Sequence, residues 1–256
     1  MRPPLPDDFL TVPLAHRALH DVTDGRPENS RAAIRAAIAV GYGIEIDVQL
    51  SADDQALVFH DDNLDRLARA SGPVRAQSGD RLTATELKGG DGEGIPTLAE
   101  ILALVDGRVP LLVEIKDQDG AMGPGIGPLE RAVARGLAGY AGPVAVMSFN
   151  PYSVAKMAAL LPDVPRGLVT SCYDPTDWRL DPQVCARLRD IPDYDEAACS
   201  FISHEWQDLS RPRVQALKSA GAHILCWTIK SPADEAQARR IAENITFEQY
   251  RAPLNA

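Results

Sequence analysis

Short apolar segments alternate with helical patterns along almost the whole chain, and few architectures accept that alternation. The pattern predicts strands at Val12–Arg17, Ile44–Leu50, Leu57–His60, Leu111–Ile115, Val144–Ser148, Gly167–Thr170, Ser200–Ser203, His223–Thr228 and Asn244–Phe247. Helix ends are legible between them. Asn29 or Ser30 can cap a helix that runs to Gly41, a natural C′ residue. Thr97 and Glu100 form a Thr-x-x-Glu capping box that opens a helix toward Val105. Asn150-Pro151 sets a cap before a proline at the first helical position. Strands and helices in turn predict an α/β fold, and the 256 residues match the usual size of one (β/α)₈ barrel. No linker or composition shift divides the chain, so residues 1–256 read as a single barrel domain.

Nine predicted strands are one more than such a barrel holds. The six residues from Ser51 to Ala56 are too few for a parallel crossover, which takes about a dozen or more. Ile44–Leu50 and Leu57–His60 therefore read as a hairpin turning near Asp53-Asp54. A turn centred there puts Asp47 roughly opposite His60, and opposed residues share a face. Residues 61–96 hold no obvious strand and are rich in Gly, Asp and Arg. They read as a small insertion after the hairpin, packed over one barrel mouth.

Charge narrows the partners. Lys+Arg 26 against Asp+Glu 36 gives a net charge of −10, which repels a phosphate backbone or an anionic membrane surface. Nucleic acid and stable membrane insertion are therefore not expected, and no run approaches the roughly 18 apolar residues of a membrane span. Met1–Leu10 carries three prolines and two aspartates with no apolar core for a signal peptide. Cys172, Cys185, Cys199 and Cys226 lack CxxC spacing and read as free thiols. A cytoplasmic protein is the expectation; the sequence specifies no oligomeric state.

The chemistry concentrates at strand ends. In Ile44-Glu45-Ile46-Asp47-Val48 a period of two turns the aliphatic residues to the helices and Glu45 and Asp47 into the barrel. Neighbouring carboxylates repel unless a cation or proton sits between them. Clustered oxygen ligands suit a hard divalent ion such as Mg²⁺ or Ca²⁺, while a salt-bridged or solvated pair is the alternative. Leu112 to Lys116 repeats the pattern, with Glu114 and Lys116 on one face, either a third ligand beside an anion-binding lysine or an ion pair closing the barrel. His16-Arg17 ends the first predicted strand and His60-Asp61 the apolar run Leu57-Val58-Phe59; a lone histidine there is more often structural, whereas two, each beside an acid or a guanidinium, better suit general acid–base work. Arg17 offers a planar fork for a phosphate or carboxylate, or an exposed surface pair.

Taken in order, His16-Arg17, Pro27-Glu28-Asn29-Ser30, Glu45-Ile46-Asp47-Val48, His60-Asp61, Ile95-Pro96-Thr97-Leu98 and Glu114-Ile115-Lys116 resemble the motifs of glycerophosphodiester phosphodiesterases. Ser148-Phe149 and Trp227-Thr228 also look like that family's pattern, so the likeness spans His16 to about Trp227. The resemblance implies a TIM-type barrel with a small insertion after the His60 segment. It implies a divalent ion at Glu45, Asp47 and Glu114, with His16 and His60 as the acid–base pair. Arg17 and Lys116 would bind the phosphate, and Trp227 would line the pocket near the glycerol moiety, core packing being its other reading. Glu28 reads as a support for the loop beside Arg17, and Asn29 as a helix cap.

The expected reaction is hydrolysis of a small-molecule glycerophosphodiester to glycerol 3-phosphate and an alcohol. Related barrel phospholipases imply a route through a cyclic phosphate. The rivals are a phospholipase-like barrel acting on lipid head groups and a catalytically silent barrel that binds phosphorylated ligands. Two departures stand out. Ala18 replaces the glycine of the family's His-Arg-Gly, and Asn244-Ile245-Thr246-Phe247 lacks the usual Asp-Gly-Ile-Ile-Thr-Asp run, which puts the last strand's contribution to the site in question.

Overall fold

The computed structural model describes residues 2–254. Its sheet runs through β1 (Leu14–Ala15), β2 (Gly43–Leu50), β3 (Ala56–Val58), β4 (Leu111–Ile115), β5 (Val144–Ser148), β6 (Arg166–Thr170), β7 (Phe201–Glu205), β8 (His223–Ile229) and β9 (Asn244–Phe247). β1 pairs in parallel with both β2 and β9, which closes a barrel of eight parallel strands. β3 is the ninth strand and stands outside the barrel, antiparallel to β2. The fold is the TIM-type (β/α)₈ barrel that the alternation predicts.

Local chemistry sets the element ends. β1 is shorter than predicted because Pro13 lacks an N–H and Arg17 and Ala18 both take positive φ, 51° and 65°. Gly41, at φ 90°, ends the helix Arg31–Val40 as expected, but Ser30 caps it: the Ser30 hydroxyl accepts from Ala33 N. Asn29 is therefore not the cap. Thr97 and Glu100 do form the capping box, and Asn150 caps Pro151–Leu160 by accepting from Tyr152 N.

The hairpin is present, one residue out of the expected register. Val48 pairs with Val58 and Leu50 with Ala56, and Phe59 N donates to the Asp47 carbonyl. Asp47 therefore opposes Phe59 and not His60. A one-residue slip inside a strand would turn a side chain to the other face. Here β3 ends at Val58, so the pleat no longer dictates where His60 points.

Two apolar layers form the body. Ile44, Ile46, Val48, Val113 and Val146 face outward onto the helices. Inside the barrel Leu14, Leu112, Ala145, Met147, Val169, Phe201 and Leu225 pack together with Phe9. Gly167 makes room there, since a Cβ would lie 2.4 Å from the Phe201 ring. The chain before β1 seals the end where the strands begin. Asn244 Nδ2 donates to the carbonyls of Phe9 and Val12, and Ser200 Oγ to that of Pro3. The opposite end, where the strands finish, stays open to receive a site.

From β3 to the helix Leu98–Val105, the chain carries its own small core of Leu57, Phe59, Leu64, Ala68, Val74, Leu82, Leu87 and Ile95. Isolated bridges, Asn63 to Pro73 and Ala68 to Leu87, tie it together. All four cysteines are free, and among the described residues no helix is long and apolar enough to cross a membrane.

Candidate active site

Glu45 and Asp47 point inward from β2, and Glu114 from the adjacent β4, where Asp47 and Glu114 are register partners. All three are buried, and one oxygen of each lies within 4.8 Å of the others. The surroundings compensate them unequally. Lys116 Nζ lies 2.8 Å from Glu114 and 3.4 Å from Asp47, while Arg17 Nε is 3.7 Å from Asp47. Burial pushes the Asp47 carboxyl up, but Lys116, His60, Arg17 and the Asn29 amide outweigh it and hold the group well below the ordinary carboxylate range. Among the described residues, the Glu45 carboxylate accepts only the Arg17 backbone N–H, at 2.8 Å. Burial and the charges of Asp47 and Glu114 push it well above the ordinary range. Lys116 and Arg17 thus leave Glu45 uncompensated, and hard oxygen donors this close suit a divalent cation.

Each candidate histidine leans on a carboxylate. His60 Nδ1 is 2.7 Å from Asp61, and His16 Nδ1 is 2.7 Å from Glu248, the residue after β9. Burial lowers the His16 pKa, outweighing the hydrogen bond to Glu248. Arg66 ties the second wall together by donating to both Asp61 and Glu28, while Glu28 accepts from Arg17 Nη1 at 2.7 Å. Burial would raise Asp61, but Arg66 and His60 bring it down to about 2. Glu28 thus supports Arg17.

The eight residues singled out from the sequence, His16, Arg17, Glu45, Asp47, His60, Glu114, Lys116 and Trp227, all line one cavity of about 100 Å³. Met147, Phe149 and Val169 complete its apolar side. Trp227 belongs to that side, its Nε1 donating to the Ser203 carbonyl at 3.0 Å and its ring standing edge-on to Phe149. One face of the cavity is anionic with cations at its rim, and the facing wall is apolar.

A family model described as the glycerophosphoryl diester phosphodiesterase family matches residues 16–245. The chain belongs to this family. Members are phosphoric diester hydrolases, and so is this protein. It is 32% identical over 179 residues to the glycerophosphodiester phosphodiesterase of Caldanaerobacter subterraneus, covering 66% of this chain and 71% of that protein. YhdW of Bacillus subtilis is 28% identical and covers 93% of each chain. Among solved structures, a phosphodiesterase of Oleispira antarctica in complex with the product sn-glycerol-3-phosphate superposes with a TM-score of 0.74. At 24% identity over 93% of both chains, that likeness establishes the shared barrel.

Against the family pattern, the last strand contributes after all. Glu248, the residue after β9, reaches the site through its 2.7 Å contact with His16 Nδ1. Asn29, read from sequence as a cap, instead clasps Asp47: its Nδ2 donates to Oδ2 at 2.9 Å and its Oδ1 accepts from Asp47 N. Arg66 and His20 had no signal in the sequence.

Ala18 does hold the positive φ that a glycine would take freely. For Ala18→Gly, relief of about 1–2 kcal/mol of left-handed strain meets two losses. About 0.8 kcal/mol of methyl burial disappears, and the unfolded chain gains freedom by about 0.4–1 kcal/mol. The terms cancel, so urea unfolding should find Ala18→Gly within about 1 kcal/mol of the parent. Ala18→Val adds a branched side chain at a buried left-handed position and should cost about 2 kcal/mol or more. Equal stability of the valine variant would remove this account of the turn.

Proposed function

We propose that the protein hydrolyses glycerophosphodiesters to glycerol 3-phosphate and an alcohol, in the cavity that brings three buried carboxylates together with His16 and His60. That convergence carries the reading. Glu45, Asp47 and Glu114 would hold a divalent cation, Mg²⁺ or Ca²⁺. Such an ion, when bound, polarises a phosphoryl oxygen.

The chain's own residues supply the rest. Lys116 and Arg17 bind the phosphate; the buried Arg17 Nε, without a hydrogen-bond partner among the described residues, supports this reading. Trp227 and Phe149 pack against the glycerol carbons. One histidine accepts the proton of the attacking hydroxyl, and the other gives a proton to the departing alcohol oxygen. The attacking group is the glycerol hydroxyl next to the phosphorylated carbon. Its oxygen bonds to phosphorus as the bond to the head group breaks, and water then opens the cyclic phosphate. We read residues 61–96 as a small insertion that brings Arg66 to this mouth within a single barrel domain, and the protein as cytoplasmic.

Single histidine variants test the assignment. Loss of a general acid or base costs about 10²–10⁴ in rate. His16→Ala and His60→Ala should each fall by that much on glycerophosphocholine, with melting temperature and cation binding retained. Near-native turnover by either variant would reduce that histidine to a structural part.

A further inference from the structure

His16 has one ring nitrogen toward the cavity and the other on Glu248, a residue that the cavity's catalytic groups leave without a role. The Glu248 carboxylate is firmly held. Its backbone N–H donates to the Ile229 carbonyl at 2.9 Å, joining the end of β9 to β8. Oε1 is 2.9 Å from Lys230 Nζ and 3.3 Å from the Gln249 amide. Oε2 takes His16 Nδ1 at 2.7 Å, with His20 Nε2 at 3.4 Å on its outer side. Only 12% of the Glu248 side chain is exposed, so this is no solvated surface pair. Burial would raise the carboxyl, but His16, His20 and Lys230 drive it far below the ordinary range.

We infer that Glu248 is the positioning residue of His16: by accepting the Nδ1 proton it fixes the ring's rotation and tautomer and leaves Nε2 bare toward the substrate. An imidazole held in this way by a carboxylate keeps one nitrogen free as a proton acceptor, and loses that order when the carboxylate becomes an amide. Lys230 and His20 hold the carboxylate in place. The charged groups facing His16 itself are Glu248, Arg17 and Asp47, and Glu248 alone bonds the ring. The inference rests on the acid–base reading of His16 given above.

A purely structural role, tying β1 to β8 and β9, would make different predictions. Long-range ¹H–¹⁵N spectra of the metal-free wild-type protein should show neutral His16 protonated on Nδ1. Protonation on Nε2 would overturn the inference without any variant. In Glu248→Gln the amide can donate to Nδ1, so the His16 proton should move to Nε2. On glycerophosphocholine, kcat should then fall by about 10²-fold or more while KM stays within about threefold. Glu248→Asp keeps a carboxylate and should recover most of the lost kcat. A folded Glu248→Gln enzyme with native kcat and an unchanged tautomer would leave Glu248 as a strand tie only. If His16→Ala is also near native, the acid–base reading itself has failed. If His16→Ala is impaired and Glu248→Gln is not, only the positioning role has.

Discussion

Removal of divalent cations should abolish turnover of glycerophosphodiesters, and Mg²⁺ or Ca²⁺ should restore it. The expectation follows from the charge of the cluster. Glu45, Asp47 and Glu114 bring three carboxylates within reach of one point, and Lys116 and Arg17 do not satisfy them all. Glu45 marks the shortfall, because burial and its two neighbours hold it well above the ordinary 4.5. The sign for stability follows. An acid whose folded pKa is raised contributes stability that is present below its unfolded value and lost as pH rises through the folded one. The metal-free protein should therefore lose stability from this group as pH climbs above about 4.5. A bound cation needs the ionised form, so its affinity should strengthen over the same rise in pH. At a hundredfold excess over Kd the cation adds about 2.7 kcal/mol, or about 5–10 °C in Tm for a chain of this size. Full activity in a demonstrably cation-free preparation, with no thermal shift on adding Mg²⁺ or Ca²⁺, would remove the metal from the mechanism.

The centre of this site was legible because it is written in strands. A period of two makes Glu45, Asp47 and Glu114 conspicuous among aliphatic residues, and closure of the sheet leaves inward side chains nowhere else to converge. Where the strand ends, that rule ends too. His60 lies beyond the last residue of β3, so its place could not come from pairing, and the expected register with Asp47 was one residue out. Arg66, His20 and Glu248 reach the site across 38, 228 and 232 residues of sequence to their partners Glu28, Glu248 and His16. No local pattern encodes such contacts. Asn29 misled for a different reason: asparagine caps helices well, and Ser30 beside it does the same. Only the fold shows that Ser30 takes the cap and frees Asn29 for Asp47. Ala18 shows the converse, since a motif can keep its backbone turn after losing the glycine that normally permits it.

A diester that lacks the hydroxyl next to the phosphorylated carbon should bind this enzyme and fail to react. On the proposed reading its unchanged phosphate would be held by Arg17 and Lys116 as the substrate's would be, and its carbons would still face Trp227 and Phe149 across the cavity. What it lacks is the internal nucleophile. A tethered, well-aligned hydroxyl has an effective molarity of about 10⁵–10⁸ M, which lowers the barrier by about 7–11 kcal/mol relative to a free nucleophile. Water entering the cavity has no such tether, and without it the two histidines have a leaving group to protonate but no placed oxygen to deprotonate. The deoxy analogue of glycerophosphocholine should therefore act as a competitive inhibitor with Ki near the KM of the parent diester. The same enzyme should release a transient cyclic phosphate from the parent, visible by ³¹P NMR. Comparable turnover of the deoxy analogue would show that water attacks phosphorus directly. In that case the cyclic route falls, while the roles of the carboxylates and histidines stand, because a water nucleophile needs the same proton acceptor and the same cationic hold on the phosphate.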